Sequence, residues 1–281
     1  MSKISIITAS YNYEDYIKET IESVISQTFQ DWEMVIVDDG SKDNSVEVIK
    51  SYAEKDSRIK LYQHEGGINK GLVETVKLGI EKAQGDWIVF LESDDSITPN
   101  YLEEKLNVLK QYPEVKFIFN DVNMFGDESV IHRLDEHFEK AKNILKTKGS
   151  PANLLKYFAK INLVPTFSVV MVNKSLLMNL DYNVVHKPLL DFYLWAQIAQ
   201  KSDLYYIDKK LTNWRMHKDS YLSAEYPEKN KLKFKLQINS VVYYNNLFKR
   251  IFENFIAYRK YCIKVKKDKI YFMGKWYYLV Q

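Results

Sequence analysis

Short apolar runs alternate with segments of helical periodicity over the first hundred residues, and this alternation limits the fold more than any other feature. The strand-like runs are Ile4–Ala9, Glu33–Val37, Arg58–Tyr62 and Trp87–Leu91. The helical patterns between them are Tyr16–Phe29, Ser45–Tyr52 and Leu72–Ala83. Strands that alternate with helices in this way form parallel sheets covered by helices on both faces. The sequence therefore predicts an α/β protein with a mostly parallel central sheet.

Beyond Pro99 the alternation of strand and helix patterns is less regular. Helices are predicted at Tyr101–Gln111 and Asp191–Lys201, and strands at Val115–Asn120, Asn162–Val172 and Leu204–Ile207. The polar stretch 126–150 reads as an inserted loop or a helical excursion, and 211–223 as a polar segment. Residues 1–224 are expected to form one large domain, followed by a separate C-terminal region.

Charge, cysteine content and hydropathy exclude several classes of protein. The formal net charge of +3 is close to balance and gives no global reason to expect nucleic-acid binding. Cys262 is the single cysteine, so an intrachain disulfide is excluded and a reducing compartment is favoured. The N-terminal apolar run is too short for a signal peptide, and no apolar run reaches the roughly 18 residues of a membrane span. We therefore expect a cytoplasmic protein.

Three carboxylates, Glu92, Asp94 and Asp95, follow the apolar run that ends at Leu91. Like charges this close repel unless a cation or solvent screens them, and carboxylate oxygens suit Mg²⁺ or Mn²⁺. Ligands of such sheets bind beyond the carboxyl ends of the strands, which favours a metal site over the alternative of a solvated turn or helix cap. The glycine-rich segment 66–71 lacks the spacing of a phosphate-binding P-loop, and no dinucleotide fingerprint follows the first strand.

Five segments in a fixed order resemble the inverting glycosyltransferases of family 2, which have the nucleotide-sugar-binding GT-A fold. They are Ile6–Asn12, Ser26–Phe29, Val35–Asp43, Gly85–Asp95 and Trp214–His217. The resemblance covers roughly residues 3–223. It implies a nucleotide-sugar-binding half at 1–98 and an acceptor-binding half at 99–224.

The resemblance assigns a set of residues to the donor nucleotide-sugar. They are Thr8, Ala9, Ser10, Tyr11, Asp39, Asn69, Lys70, Glu92 and Ser93. Tyr11 would stack on the base, and Asp39 would accept the imide N–H of uridine or thymidine. Glu92 occupies the place of the first Asp of the family's D-x-D motif and would bind the ribose. A capped turn is the simpler alternative for the Asp39 segment taken alone.

The resemblance also implies a divalent metal and a catalytic base. Asp94, with Asp95 and His217, would hold Mn²⁺ or Mg²⁺ against the diphosphate, although a lone histidine is more often structural. Asp191 lies in a segment similar to the family's E-D-x-x-L-W and would deprotonate the acceptor hydroxyl; a helix N-cap is the alternative for this Asp. Glu92 and Leu190 depart from the family pattern, which leaves donor geometry and acceptor contacts open.

Residues 225–281 contain 13 Lys or Arg and 4 Asp or Glu, a local charge of +9 that leaves −6 for residues 1–224. Apolar residues keep a helical spacing here, so we expect basic, aromatic-rich helices. Such a region fits contact with an anionic membrane, packing on the catalytic domain, or pairing of two chains.

These observations lead to one preferred function and two alternatives. The preferred function is a metal-dependent inverting hexosyltransferase that moves one sugar from a UDP-sugar to a saccharide or lipid-linked glycan in envelope or exopolysaccharide synthesis. It would act in the cytoplasm or at the inner face of the cell membrane, with no nucleic-acid partner. The alternatives are a non-catalytic nucleotide-sugar or glycan-binding protein, and a sugar nucleotidyltransferase.

Overall fold

The computed structural model describes residues 3–217, 228–265, 269–272 and 275–278. Its main sheet contains β1 (Ile4–Ser10), β2 (Trp32–Asp38), β3 (Ile59–Gln63), β4 (Trp87–Phe90), β5 (Ser96–Ile97), β6 (Phe117–Gly126), β7 (Val170–Asn173) and β8 (Tyr205–Met216). A separate antiparallel hairpin contains β9 (Lys269–Phe272) and β10 (Lys275–Tyr278). The α-helices are α1 (Ile17–Ile25), α2 (Ser45–Ala53), α3 (Leu72–Lys82), α4 (Tyr101–Gln111), α5 (Glu128–Lys148), α6 (Leu155–Phe158), α7 (Lys174–Leu177), α8 (Leu190–Ala199), α9 (Glu228–Val242) and α10 (Leu247–Val265).

The strand order of the main sheet is β3-β2-β1-β4-β7-β6-β8-β5. Strands β3, β2, β1 and β4 are parallel, as are β6 and β8, whereas β7 runs antiparallel to both of its neighbours and β5 to β8. The predicted α/β architecture, with a mostly parallel sheet and flanking helices, is therefore confirmed.

Alternate residues of the central strands enter two different hydrophobic cores. Ile6 and Ile36 belong to the core on one face of the sheet, and Ile7 and Val37 to the core on the other. All seven residues of β2 are buried. Strands buried on both faces are continuously apolar, which is why these runs were visible in the sequence.

Helix α8 lies inside the core that contains Ile7 and Val37, rather than on the surface of that core. Nine of its ten residues are buried. The Trp195 ring packs among Phe117, Phe167 and Phe90, with centroid distances of 5.0, 5.5 and 5.9 Å. Packing of this helix fixes the position of its first turn, which carries Asp191.

Two predicted elements differ in the structure, and one open alternative is resolved. The strand expected at Asn162–Val172 is wrong over most of its length, because Pro165 and a turn capped by the Thr166 hydroxyl interrupt it before β7 begins. The stretch 126–150 contains α5, whose first turn is capped by Asp127. The predicted strand at Leu204–Ile207 continues as β8 to Met216, into the segment that was expected only to be polar.

The C-terminal region contains the expected helices. Helix α9 packs on the domain that contains the main sheet, with Phe234, Ile238 and Val242 buried in the core that contains α8. Helix α10 packs along α9. In residues 3–217 and 228–265, no helix combines the length and apolar character needed to cross a bilayer.

Candidate functional site

A cleft of about 790 Å³ opens beyond the carboxyl ends of β1, β2 and β4. Of the thirteen residues assigned to the site from the sequence, ten line this cleft. They are Ala9, Ser10, Tyr11, Asp39, Asn69, Glu92, Ser93, Asp94, Asp191 and His217. The sheet thus gathers residues more than 200 positions apart at one edge, where ligands of α/β sheets bind.

Thr8, Lys70 and Asp95 lie outside the lining of the cleft. Thr8 is fully buried in β1, and its hydroxyl finds no hydrogen-bond partner within the described ranges. Lys70 has an exposed side chain and contributes its backbone N–H to the site instead. The donor-binding roles given to Thr8 and Lys70 stay predictions.

Asp39 holds the loop that follows β3 against the end of β2. Its carboxylate accepts hydrogen bonds from the backbone N–H groups of Lys70, at 2.7 Å, and Gly71, at 2.9 Å. Gly40, with φ +81°, permits this approach, since a Cβ there would lie 2.8 Å from the Gly67 carbonyl oxygen. Two amides do not saturate a carboxylate, so Asp39 keeps acceptor capacity for a ligand in the cleft.

The turn after β1 presents Tyr11 to the cleft with 43% of its surface exposed. Asn12 adopts φ 58°, a left-handed conformation that Asn tolerates better than most residues. Two hydrogen bonds hold this turn: Asn12 N–H donates to the Ser41 hydroxyl at 2.9 Å, and the Asn12 side-chain oxygen accepts from Lys42 N–H at 2.8 Å. An exposed aromatic ring on a fixed turn is suited to stacking on a planar base.

Glu92 follows β4 and is tied to the segment 166–168. Its backbone N–H donates to the Ser168 hydroxyl at 2.9 Å, and its carboxylate accepts a hydrogen bond from the Thr166 hydroxyl. Burial, together with the negative charges of Asp94 and Asp191, raises the pKa of Glu92 to about 8, against the opposing effect of the Thr166 bond. A ligand donor or cation at this point would therefore stabilise the charged form of Glu92 and lower its pKa.

Asp94 and His217 meet at the edge of the cleft. The His217 Nε2 atom lies 2.9 Å from an Asp94 carboxylate oxygen, and the imidazole stacks on Tyr16 with ring centroids 5.6 Å apart. Asp94 and His217 provide an oxygen and a nitrogen ligand of the kinds that Mn²⁺ accepts. Across the described ranges, no group of three or more His, Cys, Asp and Glu side chains is arranged to hold a metal ion. A metal here would therefore take further ligands from substrate phosphates, as Mg²⁺ sites commonly do.

Asp95 faces the protein interior. Its carboxylate accepts hydrogen bonds from the Ser168 hydroxyl, at 2.6 Å, and from the backbone N–H of Arg215, at 2.9 Å. Burial and the nearby charges of Asp94 and Glu92 raise its pKa well above the usual range. The role of Asp95 as a metal ligand stays a prediction. Its observed contacts join residues 92–95, which we call the acidic loop, to the end of β8.

Asp191 lies in the first turn of α8 and is buried at the cleft. Its carboxylate accepts a hydrogen bond from the backbone N–H of Phe192 at 2.6 Å. Burial raises the pKa of Asp191 to about 7, although the backbone hydrogen bonds oppose the shift. A carboxylate with a pKa near the working pH is well matched to accepting a proton.

Several cleft contacts were not predicted. Thr166 and Ser168 bind the acidic loop, Tyr16 stacks on His217, and the Arg215 guanidinium donates from Nε to the Asp94 carbonyl oxygen at 3.0 Å. Arg215 stands two residues before His217 in a motif already singled out, so it could have been found. Thr166, Ser168 and Tyr16 carry no local signal.

The chain is similar in sequence to known proteins. Residues 5–174 match the family model described as Glycosyl transferase family 2. The Escherichia coli protein WfgD, named UDP-Glc:alpha-D-GlcNAc-diphosphoundecaprenol beta-1,3-glucosyltransferase, is 28% identical over 227 residues, which cover 80% of this chain and 81% of WfgD. The putative glycosyltransferase EpsH of Bacillus subtilis is 42% identical over 161 residues, which cover 54% of this chain and 46% of EpsH. The chain therefore spans less than half the length of EpsH.

Many solved structures have a similar fold, including the following two. S. aureus TarS residues 1–349 in complex with UDP-GlcNAc superimposes with a TM-score of 0.64 at 16% identity, over 95% of this chain and 75% of TarS 1–349. The mannosyltransferase PcManGT from Pyrobaculum calidifontis, in complex with GDP-Man and Mn²⁺, gives a TM-score of 0.60 at 12% identity, over 95% of this chain and 75% of PcManGT. At these identities, the likeness concerns the fold.

Proposed function

Because the chain belongs to glycosyl transferase family 2, we propose that it is an inverting hexosyltransferase that moves one sugar from a UDP-sugar to a saccharide or lipid-linked glycan. The observation that carries this proposal is the meeting of Asp191 and the acidic segment 92–94 in one cleft. A transfer with inversion needs a base on the acceptor side and positive charge beside the departing diphosphate. Asp191 can serve as the base, and Asp94 with His217 can hold a cation that supplies the positive charge.

In the proposed reaction, the acceptor hydroxyl oxygen attacks the anomeric carbon while Asp191 takes the hydroxyl proton. The bond from the anomeric carbon to the diphosphate oxygen breaks, and its electron pair leaves with the nucleoside diphosphate. Glu92 and Asp39 orient the donor nucleotide-sugar, and Tyr11 stacks on its nucleobase. The burial that raises the Asp191 pKa to about 7 makes this carboxylate a stronger base than an exposed one.

A divalent ion, Mn²⁺ or Mg²⁺, belongs to the same proposal. Asp94 and His217 would hold it, since their side chains already meet at the cleft edge. When bound, the ion supplies positive charge that stabilises the developing diphosphate. The PcManGT complex with Mn²⁺ and GDP-Man supports a metal in a site of this fold.

The identity of donor and acceptor is also proposed. The TarS complex with UDP-GlcNAc and the name of WfgD support a uridine donor, and the diphosphoundecaprenol in that name supports a lipid-linked acceptor. We place the reaction in envelope polysaccharide synthesis at the inner face of the cell membrane. Contact of residues 225–281 with an anionic membrane or with a second copy belongs to this proposal.

The central test is Asp191→Asn, assayed by release of UDP from a panel of UDP-sugars with Mn²⁺ and a diphosphate-lipid-linked saccharide. We expect turnover to fall by about 10² to 10⁴-fold, the usual contribution of a general base, with donor affinity unchanged within about twofold. Asp203→Asn is the matched control, because Asp203 is exposed shortly after α8 and outside the cleft. Undiminished transfer by Asp191→Asn would remove the base assignment.

The same assays separate the two alternative functions. A non-catalytic binding protein would bind UDP-sugars without turnover in the presence of every acceptor. A sugar nucleotidyltransferase would release pyrophosphate from a sugar phosphate and a nucleoside triphosphate, whereas the proposed enzyme releases a nucleoside diphosphate.

A further inference from the structure

Helix α10 carries a row of large apolar side chains on its surface. Leu247, Phe248, Ile251, Phe252 and Phe255 are 54%, 87%, 58%, 62% and 51% exposed. Because an α-helix has 3.6 residues per turn, positions 247, 251 and 255 stack on one face, and 248 and 252 lie beside them. The five side chains therefore form one continuous surface, which we call the α10 apolar face.

A different side of α10 contacts the rest of the molecule. Arg250 and Asn254 are half-buried, and the Asn239 side chain on α9 donates a hydrogen bond to the Asn254 oxygen at 3.0 Å. Helix α9 is in turn buried in the main core through Phe234 and Ile238. The α10 apolar face is thus held outward by a helix that is firmly part of the domain.

Basic residues flank this face. Lys249, Arg259 and Lys260 are exposed on α10, and Lys233 is exposed on α9. Glu253 is the only acidic residue in the sequence of α10. An apolar face bordered by Lys and Arg is the pattern of helices that lie in the interface of anionic membranes.

The charge pattern favours a lipid surface over a second copy of the chain. In a twofold-symmetric pair, the same patch meets itself, so the basic flanks of one α10 would lie beside those of the other. One glutamate per helix is too few to compensate several lysines and arginines. Anionic headgroups would neutralise all of them, while the acyl boundary would accept the phenylalanines.

We propose that the α10 apolar face docks on an anionic lipid surface. Phe248 and Phe252 enter the boundary between headgroups and acyl chains, and Lys249, Arg259 and Lys260 contact the anionic headgroups. This contact rests on the membrane option of the proposed function and specifies it, and it would hold the cleft close to a lipid-linked acceptor; vesicle binding is measured without sugar transfer, so the two can fail separately.

The test is sedimentation of the 281-residue chain with phosphatidylcholine vesicles that contain or lack phosphatidylglycerol. We expect binding to the anionic vesicles that weakens as salt is raised, since screening reduces the headgroup attraction. Absence of binding to anionic vesicles at low salt would overturn the proposal.

Two pairs of variants locate the contact. Phe248→Ser/Phe252→Ser is expected to lower vesicle binding about tenfold or more, whereas Met178→Ser/Val185→Ser, which changes exposed apolar residues elsewhere, leaves it unchanged. Lys249→Glu/Lys260→Glu is expected to remove the preference for anionic vesicles, whereas Lys50→Glu/Lys110→Glu, on α2 and α4, retains it. Equal binding by all four variants would place the contact elsewhere.

Light scattering of the same proteins tests the alternative that a second copy of the chain covers the α10 apolar face. A monomer that binds vesicles supports the proposal. A dimer that dissociates on Phe248→Ser/Phe252→Ser would overturn it, because the face would then be covered by a second copy. Thermal melts show whether each variant is folded. A loss of binding by a folded variant can then be assigned to the substituted side chains.

Discussion

Asp191 and Glu92 show how burial sets the chemistry of single residues in this cleft. Burial raises the pKa of Asp191 to about 7 and that of Glu92 to about 8, and the Asp191 charge contributes to the second shift. A carboxylate in such surroundings holds its proton more tightly than one in water. Both carboxyls are therefore expected to change protonation state near pH 7 to 8.

The Asp191 pKa predicts the pH dependence of the proposed reaction. Since the base must be deprotonated, kcat/KM is expected to rise with pH and to reach half of its plateau near pH 7. Steady-state UDP release between about pH 5 and 9 measures this profile. A midpoint near the ordinary aspartate pKa would show that burial does not tune the base.

The raised pKa of Asp191 favours activity at high pH but lowers the free energy of unfolding there. The folded pKa lies above the unfolded one, so the native state binds the extra proton and the free energy of unfolding falls as pH rises from about 4 to 7. Asp191→Asn removes the buried carboxyl. We expect the variant to be more stable than the wild type at pH 8 by about 1 kcal/mol or more. Urea unfolding at pH 8 and near pH 4 tests the sign, because the advantage should shrink at the lower pH.

Asp94 and His217 predict linkage between metal and nucleotide. We expect UDP to raise the melting temperature strongly with Mn²⁺ and weakly after EDTA treatment, since a ligand stabilises the state to which it binds. Asp94→Asn and His217→Ala should each reduce the Mn²⁺-dependent part, while the exposed Asp203→Asn keeps it. An equal UDP shift with and without metal in the wild type would contradict the assignment.

Residues that belong to contiguous motifs could be predicted from the sequence, and residues recruited by the fold could not. Asp39, Glu92, Asp94 and Asp191 follow recognisable runs and lie in the cleft. Thr166 reaches Glu92 only because the chain returns to β4 after 74 positions. A single sequence contains no signal for such a pairing.

At the scale of elements, the segment 166–168 anchors the acidic loop after β4. The Ser168 hydroxyl donates to Asp95 and accepts from the Glu92 N–H, while the Ser168 carbonyl accepts from the Tyr101 and Thr212 hydroxyls. This segment was expected to be strand. Its apolar composition suited a strand, but Pro165 and the capped turn at Thr166 made a short connection that faces the loop.

Ser168→Ala is predicted to loosen this anchor. The change removes one of the two hydrogen bonds to the buried Asp95 carboxylate and leaves the Glu92 N–H without its acceptor, which costs about 2 kcal/mol of unfolding free energy, and donor affinity falls as the loop relaxes. Ser26→Ala is the control, because Ser26 is exposed and bonds only to its own helix. Urea unfolding and UDP titration give the two readouts. Unchanged stability would mean that the anchor contributes little.

The strands and helices of the first hundred residues were predictable because strands buried on both faces are uniformly apolar. The two-residue strand β5 and the length of β8 were not, since their pairing depends on partners elsewhere in the chain. Helix α5 is polar and mostly exposed, so few apolar positions mark it, and the sequence left loop and helix open.

At the scale of the whole molecule, the two C-terminal helices have different roles. The charge of +9 over residues 225–281 set this region apart from residues 1–224, which carry −6. The structure nevertheless places α9 in the main core, where the Phe234 ring lies 5.4 Å from that of Phe192, next to Asp191. Packing on the catalytic domain, one of the options open at the start, therefore applies to α9, while α10 keeps its apolar residues exposed.

Phe234→Ala should therefore disturb both stability and catalysis. Removing a buried ring costs about 3 kcal/mol or more of unfolding free energy, and the cavity would lie against the first turn of α8, which holds the proposed base. We expect kcat to fall while UDP affinity, which depends on the opposite side of the cleft, changes little. Phe248→Ala is the matched control, because Phe248 is 87% exposed and its removal should change stability by less than about 0.5 kcal/mol. Equal stability and equal kcat for the two variants would show that α9 is not part of the catalytic unit.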